Sequence, residues 1–177
     1  MPHLELSVEI DMARCMALQD ASTEAILVRA CALALREHPR ANGSYRDGRF
    51  ELYPRVNVGV VVAGEAAYLI PTVFDADLKP LAELKAELDE LRAGALRGRL
   101  TSPSFSGATF TLWNAGALGL AGASIPVVAP QAAALAAGEI RGSLMHATLA
   151  CDHRILYGAP AAAFLGAVRS RLERAEL

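Results

Sequence analysis

The chain has little of what marks a secreted, metal-binding or nucleic-acid-binding protein. Its three cysteines, Cys15, Cys31 and Cys151, are odd in number and far apart in 177 residues. That pattern excludes a disulfide framework and the paired spacing of a zinc site, and fits reduced thiols in a cytoplasm. His3, His38, His146 and His153 are equally scattered, so no structural metal is expected. The net charge is −2 with no basic block, which removes nucleic acid as a partner. No apolar run is long enough to span a bilayer. Met1-Pro2-His3-Leu4-Glu5 lacks the basic region and apolar stretch of a signal peptide. Gly116-Ala117-Leu118-Gly119 is too sparse a glycine pattern for a phosphate loop. There is no internal repeat and no long flexible linker. The expectation is a soluble cytoplasmic domain with no membrane partner.

What is present is a core. Apolar residues make up 53% of the chain and charged residues 20%, enough for one packed domain over residues 1–177. An excess of alanine suggests close-packed helices, or apolar surface buried between subunits. Leu4, Leu6, Val8 and Ile10 alternate with Glu5, Ser7 and Glu9, the period of a half-buried strand. Residues 12–18 read as a short helix, and Ser22 or Thr23 caps a longer one that ends before Pro39. Val56 to Ala63 is an apolar, valine-rich strand with a hairpin partner in Ala67 to Phe74. Pro80 opens a helix with Leu81, Leu84, Leu88 and Leu91 inside, ended by Gly94 and Gly98. Ala108 to Trp113, Ile125 to Val128 and Leu144 to Ala150 read as strands, with His146 a satisfied structural histidine. Ala159 to Leu172 is the last helix. Helices and strands mixed in this order predict an α/β or α+β fold around one mixed sheet.

The chemistry is concentrated in Cys151-Asp152-His153-Arg154-Ile155-Leu156-Tyr157-Gly158-Ala159. A histidine on a short loop between an apolar strand and a helix is well placed to abstract a proton. This stretch resembles the D-H-R-x-x-D-G signature of the dihydrolipoyl acyltransferase catalytic domain of 2-oxo acid dehydrogenase complexes. More distantly it is similar to the H-x-x-x-D-G of chloramphenicol acetyltransferase. Residues 2–11, 32–39, 56–60, 69–73 and 110–116 and the final helix match the same family in order, over nearly the whole chain.

The resemblance implies a two-layer α+β sandwich of the chloramphenicol acetyltransferase type. It implies a homotrimer whose active sites lie between subunits, with CoA or acyl-CoA as co-substrate and no metal. His153 is then the general base, taking a proton from a thiol or hydroxyl, and acyl transfer proceeds through a tetrahedral oxyanion. Laid on the family's F-T-x-S-N-x-G strand, Phe110 to Gly116 puts Trp113 where a hydroxyl donor is expected. Its indole N–H can donate one hydrogen bond, and its ring can equally plug or line a channel. Thr111, two residues earlier on the same face, could take over if that ring moved aside. Tyr157 replaces the motif's acid, which in the family braces the loop, so the change threatens loop geometry more than the base; the tyrosine could instead line the pocket or donate its hydroxyl.

Around these catalytic candidates, Thr111, Asn114, Asp152, Arg154 and Gly158 are the expected substrate-binding set. Asn114 reads equally as a turn residue, Asp152 and Arg154 as pairing residues, and Gly158 as a backbone hinge into the last helix. No lipoyl domain, subunit-binding domain or basic arm is recognisable. The expectation is therefore a stand-alone acyltransferase acting on a small-molecule hydroxyl or thiol, in a biosynthetic setting. Two alternatives stay open: CoA-independent acid–base chemistry such as cyclisation, elimination or isomerisation, and a non-catalytic trimeric scaffold.

Overall fold

The structure, a computed structural model, describes residues 2–177. Alternation in the first strand does what its period requires: in β1 (His3–Asp11) Leu4, Leu6, Val8 and Ile10 turn to the core. A single turn, α1 (Ala13–Met16), leads to α2 (Thr23–Glu37), whose first orphan amides are met by Ser22: its Oγ accepts from the Ala25 N–H at 3.2 Å. A hairpin follows, β2 (Gly43–Arg46) and β3 (Arg49–Leu52). The valine-rich run splits into β4 (Val58–Val60) and β5 (Val62–Ala63), answered by β6 (Tyr68–Leu69) and β7 (Thr72–Val73). Then come α3 (Leu81–Leu96), β8 (Phe110–Asn114), β9 (Ala133–Ala137), β10 (Leu144–Asp152) and α4 (Gly158–Arg174).

Six strands form one mixed sheet in the order β1-β10-β9-β8-β4-β7. The β9–β8 and β8–β4 pairs are parallel and the others antiparallel. The main core is the helix-facing side of the sheet, where Phe110, Leu112, Leu135, Met145 and Leu149 meet Leu27, Leu35, Leu84 and Phe164. Phe164 of α4 lies edge-on to Phe110 with centroids 5.8 Å apart. On the opposite face a small second cluster joins Ile125, Ala134 and Ala136 to Trp113. This is the α/β mixed sheet that the sequence predicts.

Three expectations are corrected. Ile125 to Val128 is not a strand; Pro126 cannot donate to a ladder, and the segment packs as coil over the sheet's outer face. A central position in the sheet belongs instead to β9, a run of alanines, so part of the alanine excess fills the middle of a sheet, while Ala25, Ala30, Ala32 and Ala34 are buried on α2. His146 is not an enclosed structural histidine: its side chain is exposed, 3.4 Å from Glu9. Helix α3 also runs through Gly94 and stops only at Gly98, whose φ of 61° turns the chain away.

Two glycines are obligatory for packing. A Cβ on Gly138 would stand 2.1 Å from the Ala121 carbonyl oxygen, and one on Gly116 would stand 2.5 Å from that of Gly138. Both obstacles are backbone. Gly138→Ala is expected to destabilise the protein by about 3 kcal/mol, the top of the usual range for overpacking, because no side chain can yield. Chemical denaturation would show it as a lower midpoint with an unchanged slope.

Candidate active site on the His153 loop

β10 runs to Asp152, and the turn between it and α4 carries His153 into solvent. The loop is fixed from both sides. The His153 N–H donates to the Pro2 carbonyl at 3.0 Å, and the Asp152 N–H to that of Ala132 at 2.8 Å. The Asp152 carbonyl accepts from both Ile155 (3.0 Å) and Leu156 (2.9 Å), and those two side chains anchor the turn in buried positions. His153 is thus an exposed imidazole on a rigid support.

The Asp152 side chain, 2% exposed, is gripped by Arg154. Nε donates to Oδ1 at 2.9 Å and Nη2 to Oδ2 at 2.6 Å, a two-pronged pair, and the Arg154 backbone N–H adds a third bond at 3.1 Å. Burial pushes the Asp152 carboxyl upward, but the Arg154 hydrogen bonds outweigh it and hold it below the usual carboxylate range. The guanidinium is in turn stacked 4.2 Å from the centre of the Tyr45 ring. Asp152 and Arg154 are therefore engaged with each other and the hairpin, and are not turned outward as ligand contacts. Cys151 faces the core, where burial pushes its thiol up to about 12, so it stays protonated at neutral pH and is no nucleophile.

Tyr157 stands beside the imidazole, ring centroids 6.4 Å apart and nearly perpendicular. Its hydroxyl oxygen accepts from Arg40 Nη1 at 3.2 Å, with the Arg40 guanidinium carbon 5.8 Å from its ring centre. Gly158 is the first residue of α4; a Cβ there would meet open space and its φ is not positive, so nothing in this chain requires glycine as a hinge.

The remaining candidates lie elsewhere. Thr111 is fully buried, with its Oγ1 donating to Gln131 Oε1 at 2.7 Å, which corrects the expectation of a substrate contact. Trp113 is half-buried over Ile125, Ala134 and Ala136, and among the described residues nothing accepts from its indole N–H. Asn114 precedes a 3-10 turn without capping it, the turn role foreseen for it. Trp113 pairs with Ala136 and Ala136 with Thr148, five residues short of His153. At about 3.3 Å per residue that is roughly 16 Å along the strands. Within one chain His153 and Trp113 therefore stand well apart along the sheet.

Residues missed in the sequence are Arg40, Tyr45, Phe50 and Leu52. Three of them ride on the β2–β3 hairpin, whose turn is Asp47-Gly48 with φ of 48° and 78°. Asp-Gly between short strands is a strong hairpin signal and could have located it.

A family model described as 2-oxoacid dehydrogenases acyltransferase (catalytic domain) matches residues 1–177. The chain is 32% identical, over 97% of its length, to dihydrolipoyllysine-residue acetyltransferase component 3 of the mitochondrial pyruvate dehydrogenase complex of Arabidopsis thaliana, of which it covers 37%. A probable dihydrolipoamide acetyltransferase from Listeria monocytogenes superposes with a TM-score of 0.92 at 27% identity, covering 98% of this chain and 85% of that one. Chloramphenicol acetyltransferase shares the fold alone: TM-score 0.65, 16% identity, 97% of this chain and 88% of that one. The chain spans between 37% and 49% of the length of the curated relatives it matches. With a family match from end to end and the fold to go with it, this chain belongs to the acyltransferase catalytic domain family of the 2-oxoacid dehydrogenases.

Proposed function

We propose that the protein is a CoA-dependent acyltransferase in which His153 is the general base and the acceptor is a small molecule bearing a thiol or hydroxyl. The observation that carries this reading is His153 itself: a solvent-facing imidazole on a loop pinned by Pro2, Ala132 and the Asp152–Arg154 pair, in a member of an acyltransferase family. The imidazole takes the proton of the acceptor S–H or O–H, and the freed heteroatom adds to the acyl-CoA thioester carbonyl. The tetrahedral oxyanion collapses, the C–S bond breaks, and the CoA sulfur leaves with the proton that His153 returns. Acetyl is the acyl group favoured, since the Arabidopsis relative is named for acetyl transfer.

The separation of Trp113 from His153 within one chain supports a site built between subunits of a homotrimer, each supplying one of the two. In that arrangement the indole N–H of one subunit serves the oxyanion formed beside His153 of the next. Calorimetric titration with CoA and acetyl-CoA tests the reading. Saturable binding near one site per subunit, followed by CoA release when thiol or alcohol acceptors are added, is the expected outcome. Absence of binding would overturn it in favour of CoA-independent acid–base chemistry, the reading that the bulk of Trp113 in the hydroxyl's place also favours.

A further inference from the structure

Beside the His153 loop lies a cavity of about 260 Å³ lined by Arg40, Phe50, Leu52 and Ile155. Its composition is unusual for exposed surface. Ile155, two residues beyond His153, is buried, whereas Phe50 and Leu52 are 62% and 56% exposed on β3. Two large apolar side chains held open to solvent around an apolar partner are what a hydrocarbon ligand would cover.

The single charge in the cavity wall is Arg40. Of its five N–H donors, one goes to the Tyr157 hydroxyl, a neutral acceptor. Among the described residues no carboxylate pairs with it, and it is the arginine that lines this cavity. The Tyr157 hydroxyl accepts from Arg40 and so keeps its own O–H free to donate. A guanidinium fork and a phenol side by side match the two oxygens of a carboxylate. A phosphate would bring more charge and more acceptor oxygens than one guanidinium and one phenol can satisfy.

We propose that this cavity is a subsite for a carboxylate-bearing small molecule, its carboxylate on Arg40 and Tyr157 and its hydrocarbon chain on Phe50, Leu52 and Ile155. The Tyr157 ring lies between the two functions, 6.4 Å from the His153 ring centre and 5.8 Å from the Arg40 guanidinium carbon. Resting on the acyl-transfer reading, the bound molecule is the acyl acceptor: an acidic thiol or hydroxy compound whose far end is held here while its S–H or O–H faces the imidazole. The replacement of the motif acid by Tyr157 then has a function. A carboxylate at that position would repel the ligand's own; a phenol adds a donor.

Hexanoate and hexanol, alike in chain and different in charge, are the probes, with the Ile155 methyl resonances reporting occupancy. Hexanoate is expected to saturate and shift Ile155, and hexanol to bind more weakly by roughly tenfold or more. Arg40→Met should lower hexanoate affinity by roughly ten- to a hundred-fold, Arg40→Lys by less, and the remote Arg97→Met not at all. Phe50→Ser gives a second route, weakening both probes together. Equal binding of the two probes, an unaffected Arg40→Met protein of unchanged melting temperature, or no shift of Ile155 with either probe would each overturn the subsite. Hexanoate has no thiol or hydroxyl, so its binding does not depend on catalysis. A protein that binds hexanoate yet never releases CoA keeps the subsite and loses acyl transfer; the converse result does the reverse.

Discussion

His153→Ala is expected to slow CoA release from acetyl-CoA by about 10²–10⁴-fold, the usual contribution of a positioned general base, while CoA binds as before. The separation of rate from affinity follows from where the residue stands. Its imidazole is exposed, its one ring neighbour is Tyr157, and the turn is held by backbone bonds to Pro2 and Ala132 that the substitution leaves in place. Measured with saturating acceptor, the loss falls on kcat; a variant within a few-fold of wild type would remove His153 from the chemistry. Trp113→Phe isolates the other half of the mechanism. It keeps a ring over Ile125, Ala134 and Ala136 but deletes the indole N–H, so a rate lower by about 10²-fold identifies that N–H as the oxyanion donor. Unchanged turnover would make Trp113 a space-filler.

Much of this arrangement is legible in the chain. The β1 alternation, the Ser22 cap and the leucine spacing of α3 are local signals, and local physics decides those elements. The place of position 153 is legible for a different reason: the D-H-R triplet sits where an apolar strand gives way to a helix, and there the structure has the exposed turn. What stays hidden depends on distant partners. Ala133 to Ala137 carries no strand propensity, and becomes the sheet's centre only because β8 and β10 flank it and side chains cover both faces. Asp152 reads as a possible ligand contact, but the arginine two residues on curls back to it over Tyr45, from a hairpin more than a hundred residues earlier. Arg40 has no motif at all. Its meaning comes from lying beside Tyr157 in the wall of the cavity with no carboxylate of the described residues upon it.

The Asp152–Arg154 pair carries a large expected effect on stability, and that effect should shrink as the pH falls. In the wild type the Asp152 carboxyl is held below its unfolded value, so the pair contributes fully above about pH 4, the unfolded carboxylate range. That contribution is lost as pH falls through the lower, folded value. Arg154→Met takes away the hydrogen bonds that outweigh burial and leaves a carboxylate 2% exposed among apolar neighbours. Its folded pKa is then expected to rise, because desolvation is the largest influence that remains beside the backbone N–H of position 154. The variant's penalty is therefore full at neutral pH, where its melting temperature should lie roughly 5–10 °C below wild type. The gap should close as acid protonates Asp152, so the difference between the two melting curves shrinks from pH 7 toward pH 4. Glu5, Asp11 and Asp75 are also held low in the native state, which is why the difference, not either curve alone, isolates this pair. Adding Asp152→Asn to Arg154→Met removes the titrating group, and the double variant should lose the pH-dependent part of the gap. A gap that stays constant from pH 7 to pH 4 would mean that Asp152 is solvated without Arg154, and that the pair is not what holds the His153 loop.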